Sequence, residues 1–155
     1  MDINHNIKQE VMERYFSSFC NHLEKKSNAR EIELTRVWVN KIPKKSGVYL
    51  VFDEAKIIYV GESGNLSGRM TDMLDSRHHV LRRNLGSSLY ENMPKFEKAS
   101  VKSKFPQEFE DKLNEYIQSK LMINIVTVEL GRKEIEERLI EKHKPSYNRK
   151  GKRAT

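Results

Sequence analysis

The sequence predicts a mixed α/β (α+β) domain: a small central sheet containing antiparallel strands, flanked by helices, with an N-terminal helical extension. Three observations lead there. Apolar residues at helical spacing alternate along the chain with short β-branched and aromatic runs. Two of those runs are separated only by a short polar loop, the mark of a hairpin. The composition, 37% hydrophobic and 33% charged over 155 residues, suits one soluble domain with a real core.

The elements follow in order. Ile7, Val11, Tyr15, Phe19 and Leu23 step by four, joined by Met12 and Phe16, and predict an amphipathic helix over residues 6–26 whose face needs a partner. Leu34 to Val39 reads as a short strand, and residues 1–42 as an extension packed on a main domain of residues 43–150. Gly47 to Phe52 and Lys56 to Gly61 form the hairpin around Asp53-Glu54-Ala55. Leu66, Met70, Met73 and Leu74 then fall at helical spacing, so a helix begins near Asn65. A basic insertion at residues 75–105 contains HHVLRRNLGSSLYENM, helical up to Gly86. Pro106 suits a helix start, with Phe109, Leu113, Tyr116, Ile117 and Leu121 on one face. A strand fits Ile123 to Glu129, and a last helix runs from Arg132 to His143, stopping before Pro145. Residues 151–155 are a basic tail.

Lys and Arg (29) exceed Asp and Glu (22), giving a formal charge of +7 that favours a polyanionic partner, nucleic acid first. Cys20 is the single cysteine, which excludes an intramolecular disulfide and a multi-cysteine zinc site. It lies in an apolar helical stripe and is expected to be inert. The polar N-terminus carries no secretory core, and no stretch approaches the ~20 apolar residues of a membrane span. The expected location is the cytoplasm, without membrane association.

A three-residue hairpin loop pairs Phe52 with Lys56 and puts Tyr49 directly opposite Tyr59, with both rings on one face. A two-residue loop breaks that pairing. Around the tyrosines stand Gly47-Val48-Tyr49, Tyr59-Val60-Gly61, Asn65-Leu66 and Arg69, and further on Glu136, Leu139, Ile140, Pro145, Tyr147 and Asn148. These two blocks, in this order, resemble the signature of the GIY-YIG nucleases, over residues 43–150. Helix periodicity puts Glu136 with Leu139, Ile140 and His143, and Glu137 with Glu141 and Lys144, so Glu136 is the inward carboxylate. The resemblance singles out the same residue.

The resemblance implies a metal-dependent endonuclease that hydrolyses phosphodiester bonds. In it Tyr49 is the general base or its immediate relay, Tyr59 orients the scissile phosphate, and Arg69 neutralises it. Glu136 binds one divalent metal, Mg²⁺ with Mn²⁺ as an alternative, which stabilises the leaving oxygen. Gly61 and Asn148 are structural residues beside the site. A phenol is a poor base unless its pKa of ~10 is lowered, and Arg69 and the metal are expected to lower it. Members of the family often place a tyrosine or histidine one turn after the arginine, where this chain has Met73. The proton-accepting helper role then falls to His79, with His78 next. Glu62 departs from the lysine of repair-type members, and pairing with a cation such as Arg69 is one reading of it. His78, Arg82 and Arg83 in the insertion are the expected DNA contacts. The partner is DNA, double-stranded, and the protein a homodimer or higher oligomer. A small stand-alone member looks most like a type II restriction endonuclease; a phage or mobile-element nicking nuclease and a non-catalytic nucleic-acid-binding protein of the same fold are the alternatives.

Overall fold

The computed structural model describes residues 2–148, so the basic tail lies outside the described residues. Asp2 caps helix α1 (Ile3–Glu24), accepting from the main-chain N–H groups of Asn4 and His5. A 3₁₀ turn at Lys26–Asn28 leads into strand β1 (Arg30–Glu31) and helix α2 (Arg36–Asn40). Strands β2 (Gly47–Asp53) and β3 (Lys56–Ser63) form the hairpin, followed by α3 (Leu66–Asp72), α4 (Val80–Tyr90), α5 (Gln107–Lys120), β4 (Leu121–Thr127) and α6 (Arg132–His143). The four strands are ordered β1-β4-β2-β3, each pair antiparallel.

Alternation along β2 divides the core. Tyr49 and Val51 face a layer made by α2, α3, α4 and α5, whereas Val48, Leu50 and Phe52 face a second layer with Phe16 and Leu23 of α1 and Ile135 and Leu139 of α6. Only the second half of α1 reaches this layer. Ile3, Ile7, Val11 and Met12 remain exposed, so the first turns lack the partner their apolar stripe leads one to expect.

Three local expectations are corrected. Leu34 to Val39 holds the start of a helix instead of a strand: the Thr35 hydroxyl accepts from Trp38 N–H, capping α2, and both Trp38 and Val39 are buried as helix residues. The strand that residues 1–42 do supply is β1, two residues paired with Met122 and Ile123. The insertion helix does not end at Gly86 but continues to Tyr90; this glycine serves packing inside the helix, since a β-carbon there would meet the Phe105 ring.

The hairpin carries the third correction. Its loop is two residues long, with Asp53 paired to Lys56 and Phe52 to Ile57, a register that puts the tyrosines on opposite faces. A β-bulge then inserts Ile58, and from Val51↔Tyr59 onward the parity is restored. Tyr49 lies opposite Gly61, diagonal to Tyr59, on the same face. The edge of β3 is covered by the C-terminal segment, where Tyr147 N–H donates to the Ile58 carbonyl at 3.0 Å.

Candidate active site

The two tyrosines meet because a glycine lets them. A β-carbon at Gly61 would sit inside the Tyr49 ring, so the strand residue opposite Tyr49 must lack a side chain. The Tyr49 ring then lies over Gly61, its centroid 5.9 Å from that of Tyr59. Asn148 fixes the same stretch from outside. Its Oδ1 accepts from Val60 N–H at 3.0 Å and its Nδ2 donates to the Val60 carbonyl at 2.7 Å, so one side chain imitates a neighbouring strand between Tyr59 and Gly61.

Asn65 caps α3 by accepting from Gly68 N–H, which starts the helix where Arg69 emerges beneath the tyrosines. The Arg69 guanidinium lies close enough to both phenols to couple with them electrostatically, and it donates to Asp72 (3.2 Å) and to the His78 carbonyl (3.1 Å). Although burial works against its charge, the two phenols more than offset this and hold Arg69 firmly protonated. His79 completes the group. Its Nε2 lies 2.8 Å from Tyr49 Oη, its ring centroid is 5.4 Å from that of Tyr59, and its Nδ1 accepts from Leu81 N–H, capping α4.

The electrostatics correct two expectations. Burial pushes Tyr49 well above the ordinary phenol range and Tyr59 adds to it; Arg69 opposes both without winning. In the free protein Tyr49 is therefore a neutral phenol at pH 7. Burial likewise pushes His79 well below the usual imidazole value, reinforced by the charges of Arg69, Arg82 and Arg83. A histidine held below its usual range is a weaker proton acceptor than the sequence reading assumes. Tyr49 has no solvent exposure and Tyr59 is 7% exposed, so Tyr59 is the phenol nearer to water.

Arg82 is also corrected. It is fully buried, donating to Glu110 Oε2 (2.5 Å), Asn114 Oδ1 (2.7 Å), Ser76 Oγ (3.0 Å) and the Met73 carbonyl (3.3 Å), so no phosphate reaches it. Arg83 donates to the carbonyls of Ser76 and Arg77. Both guanidiniums staple the loop that carries His79. Around Asp75 the insertion instead presents the side chains of Arg77, His78 and Lys104, beside the loop whose His78 carbonyl holds Arg69. Sequence reasoning missed this function of Arg82 because its partner Glu110 is remote in the chain and looks like one of many surface carboxylates.

Glu136 is carried by α6, whose Ile135 and Leu139 pack in the other layer of the core, and is 8% exposed, whereas Glu137 is exposed. Arg132, one turn earlier on the same helix face, donates to Glu62 Oε2 at 2.6 Å. That pair ties the Glu136 face of α6 to the end of β3, and it gives Glu62 the cation partner that Arg69 does not supply. Among the described residues, no three His, Cys, Asp or Glu side chains gather to hold a metal. A single buried carboxylate suits a hard ion that keeps most of its waters, as Mg²⁺ does.

A cation pressed against two phenols beside a neutral imidazole, on a small sheet packed with helices on both faces, makes a site for an anionic ester and a hydrolase of the phosphodiester class. The GIY-YIG catalytic domain matches residues 20–155, and the chain belongs to that family. Among solved structures, the magnesium-bound GIY-YIG N-terminal endonuclease domain of UvrC from Thermotoga maritima is 22% identical, with a TM-score of 0.39, covering 74% of this chain and 94% of that one. A tyrosine-to-phenylalanine mutant of the same domain, bound to its catalytic divalent cation, gives the same identity, coverage and score. No curated protein matches the chain. No helix among the described residues is long and apolar enough to cross a membrane.

Proposed function

We propose that the protein is a Mg²⁺-dependent endonuclease for double-stranded DNA, working as a type II restriction enzyme. The observation that carries this reading is the Arg69 guanidinium held against Tyr49 and Tyr59, a fixed positive charge beside two hydroxyls where a scissile phosphate can dock. Tyr59, at the surface of the cluster, orients that phosphate, and Arg69 neutralises the charge that grows on it. Tyr49, a buried neutral phenol, fits the relay role better than direct contact with the attacking water. Glu136 is the carboxylate that would hold the metal, and a magnesium ion there would supply charge stabilisation for the leaving oxygen. The UvrC domain, which binds magnesium as its catalytic cation, supports that choice of metal.

Arg77, His78 and Lys104 border the loop whose His78 carbonyl holds Arg69, so phosphate contacts there lead directly to the site. One such site cuts one strand, and a symmetric homodimer is the form that cuts both. The test is incubation with supercoiled plasmid, with and without Mg²⁺, followed by sequencing of the ends. Discrete ends that require Mg²⁺ support the restriction reading. Scattered nicks indicate a nicking or nonspecific nuclease, and retarded but intact plasmid a binding protein.

A further inference from the structure

The hydrogen bonds around His79 have an assignable direction. Leu81 N–H donates to Nδ1 at 3.1 Å, so that nitrogen holds a lone pair. A neutral imidazole carries one N–H, and with Nδ1 accepting, the proton is on Nε2. Nε2 in turn lies 2.8 Å from Tyr49 Oη. We infer that His79 is a fixed hydrogen-bond donor to Tyr49, a positioning residue that turns the Tyr49 hydroxyl proton away from the imidazole.

Nor does that proton turn to Arg69, whose guanidinium beside Tyr49 has donors only. The result is a one-way series: Leu81 N–H to His79, then His79 Nε2–H to Tyr49. Packed against the rings of Tyr49 and Tyr59, His79 is kept in the neutral form the series requires by burial and by the charges of Arg69, Arg82 and Arg83, which all oppose imidazolium. Arg82 and Arg83 also hold the loop in place, through Met73, Ser76 and Arg77. During hydrolysis His79 therefore neither takes nor gives a proton. It supplies a preset N–H that steadies negative charge developing on the tyrosine pair.

The catalytic consequence rests on the nuclease reading; the tautomer does not. Long-range ¹H–¹⁵N correlation of labelled wild-type protein is expected to show His79 protonated at Nε2 and bare at Nδ1 across the range where a free imidazole titrates, around its usual ~6.5. A proton on Nδ1, or an imidazolium in that range, overturns the inference whatever the protein does to DNA. For the catalytic part, His79→Gln keeps an N–H near the Nε2 position but cannot take up a proton, and His79→Leu offers neither. Single-turnover cleavage should fall about 10²-fold in the leucine variant, with at least about tenfold recovered in the glutamine variant. Equal loss in both, with thermal melts matching wild type, shows proton transfer and overturns the donor role. A wild-type protein that cuts no DNA sinks the nuclease reading instead.

Discussion

At the scale of single residues, the same side-chain type does opposite things in neighbouring positions. Arg69 keeps its charge at the site, while Arg82 spends its charge inside the core on Glu110. Removing one partner of a buried ion pair leaves the other uncompensated, which costs about 3–5 kcal/mol. Arg82→Ala is therefore expected to lower stability by that amount in denaturant melts, and to impair DNA binding only in proportion to unfolding. A variant that melts like wild type but binds DNA weakly would return Arg82 to the DNA surface. The distinction was not legible in the sequence, because RR in a basic stretch looks solvated until Glu110, Ser76 and Asn114 are brought around it by α4 and α5. The tyrosine pair was legible, since Gly47-Val48-Tyr49 and Tyr59-Val60-Gly61 are local patterns. Their register was not: it depends on a bulge at Ile58, and no residue type announces a bulge.

At the scale of elements, periodicity located helices better than short extended runs. The last helix was expected from Arg132 to His143 and is found there, because a proline and an apolar stripe bound it locally. The segment before Pro43 was misread because Val37 and Val39 are β-branched, whereas the Thr35 cap and burial of Trp38 decide for helix. The long α1 is held to α6 by ion pairs as well as apolar contacts: Glu13 with Arg138, and Glu24 with Lys142 and His143. Burial alone would raise the Glu24 carboxyl, but Lys142 and His143 outweigh it and hold it below its usual 4.5. A depressed carboxylate contributes stability that is full above its unfolded value and is lost as pH falls through the folded one. The α1–α6 clasp should thus weaken on acidification below about pH 4.5. Limited proteolysis of α1 by an acid-active protease checks it: cleavage should rise over that window in wild type and less steeply in Glu24→Gln, and identical profiles would contradict the assignment.

At the scale of the whole molecule, the candidate residues come from elements packed in two layers. The tyrosines belong to the layer of α2 to α5, whereas Glu136 is carried by α6, which packs Ile135 and Leu139 in the other layer and is tied to the end of β3 by Arg132 and Glu62. On the proposed mechanism, a metal held by Glu136 would act on the same phosphate as the tyrosines and Arg69. The most direct measurement is single-turnover cleavage of pre-bound DNA by Glu136→Gln and Glu137→Gln over a Mg²⁺ titration, with DNA affinity measured alongside. Glu136→Gln should lose Mg²⁺-dependent cleavage by about 10² or more while holding DNA, since it removes the ligand charge and keeps the side chain's size. Glu137→Gln should cut as wild type does. Full activity in Glu136→Gln, or equal loss in both variants, would contradict the account.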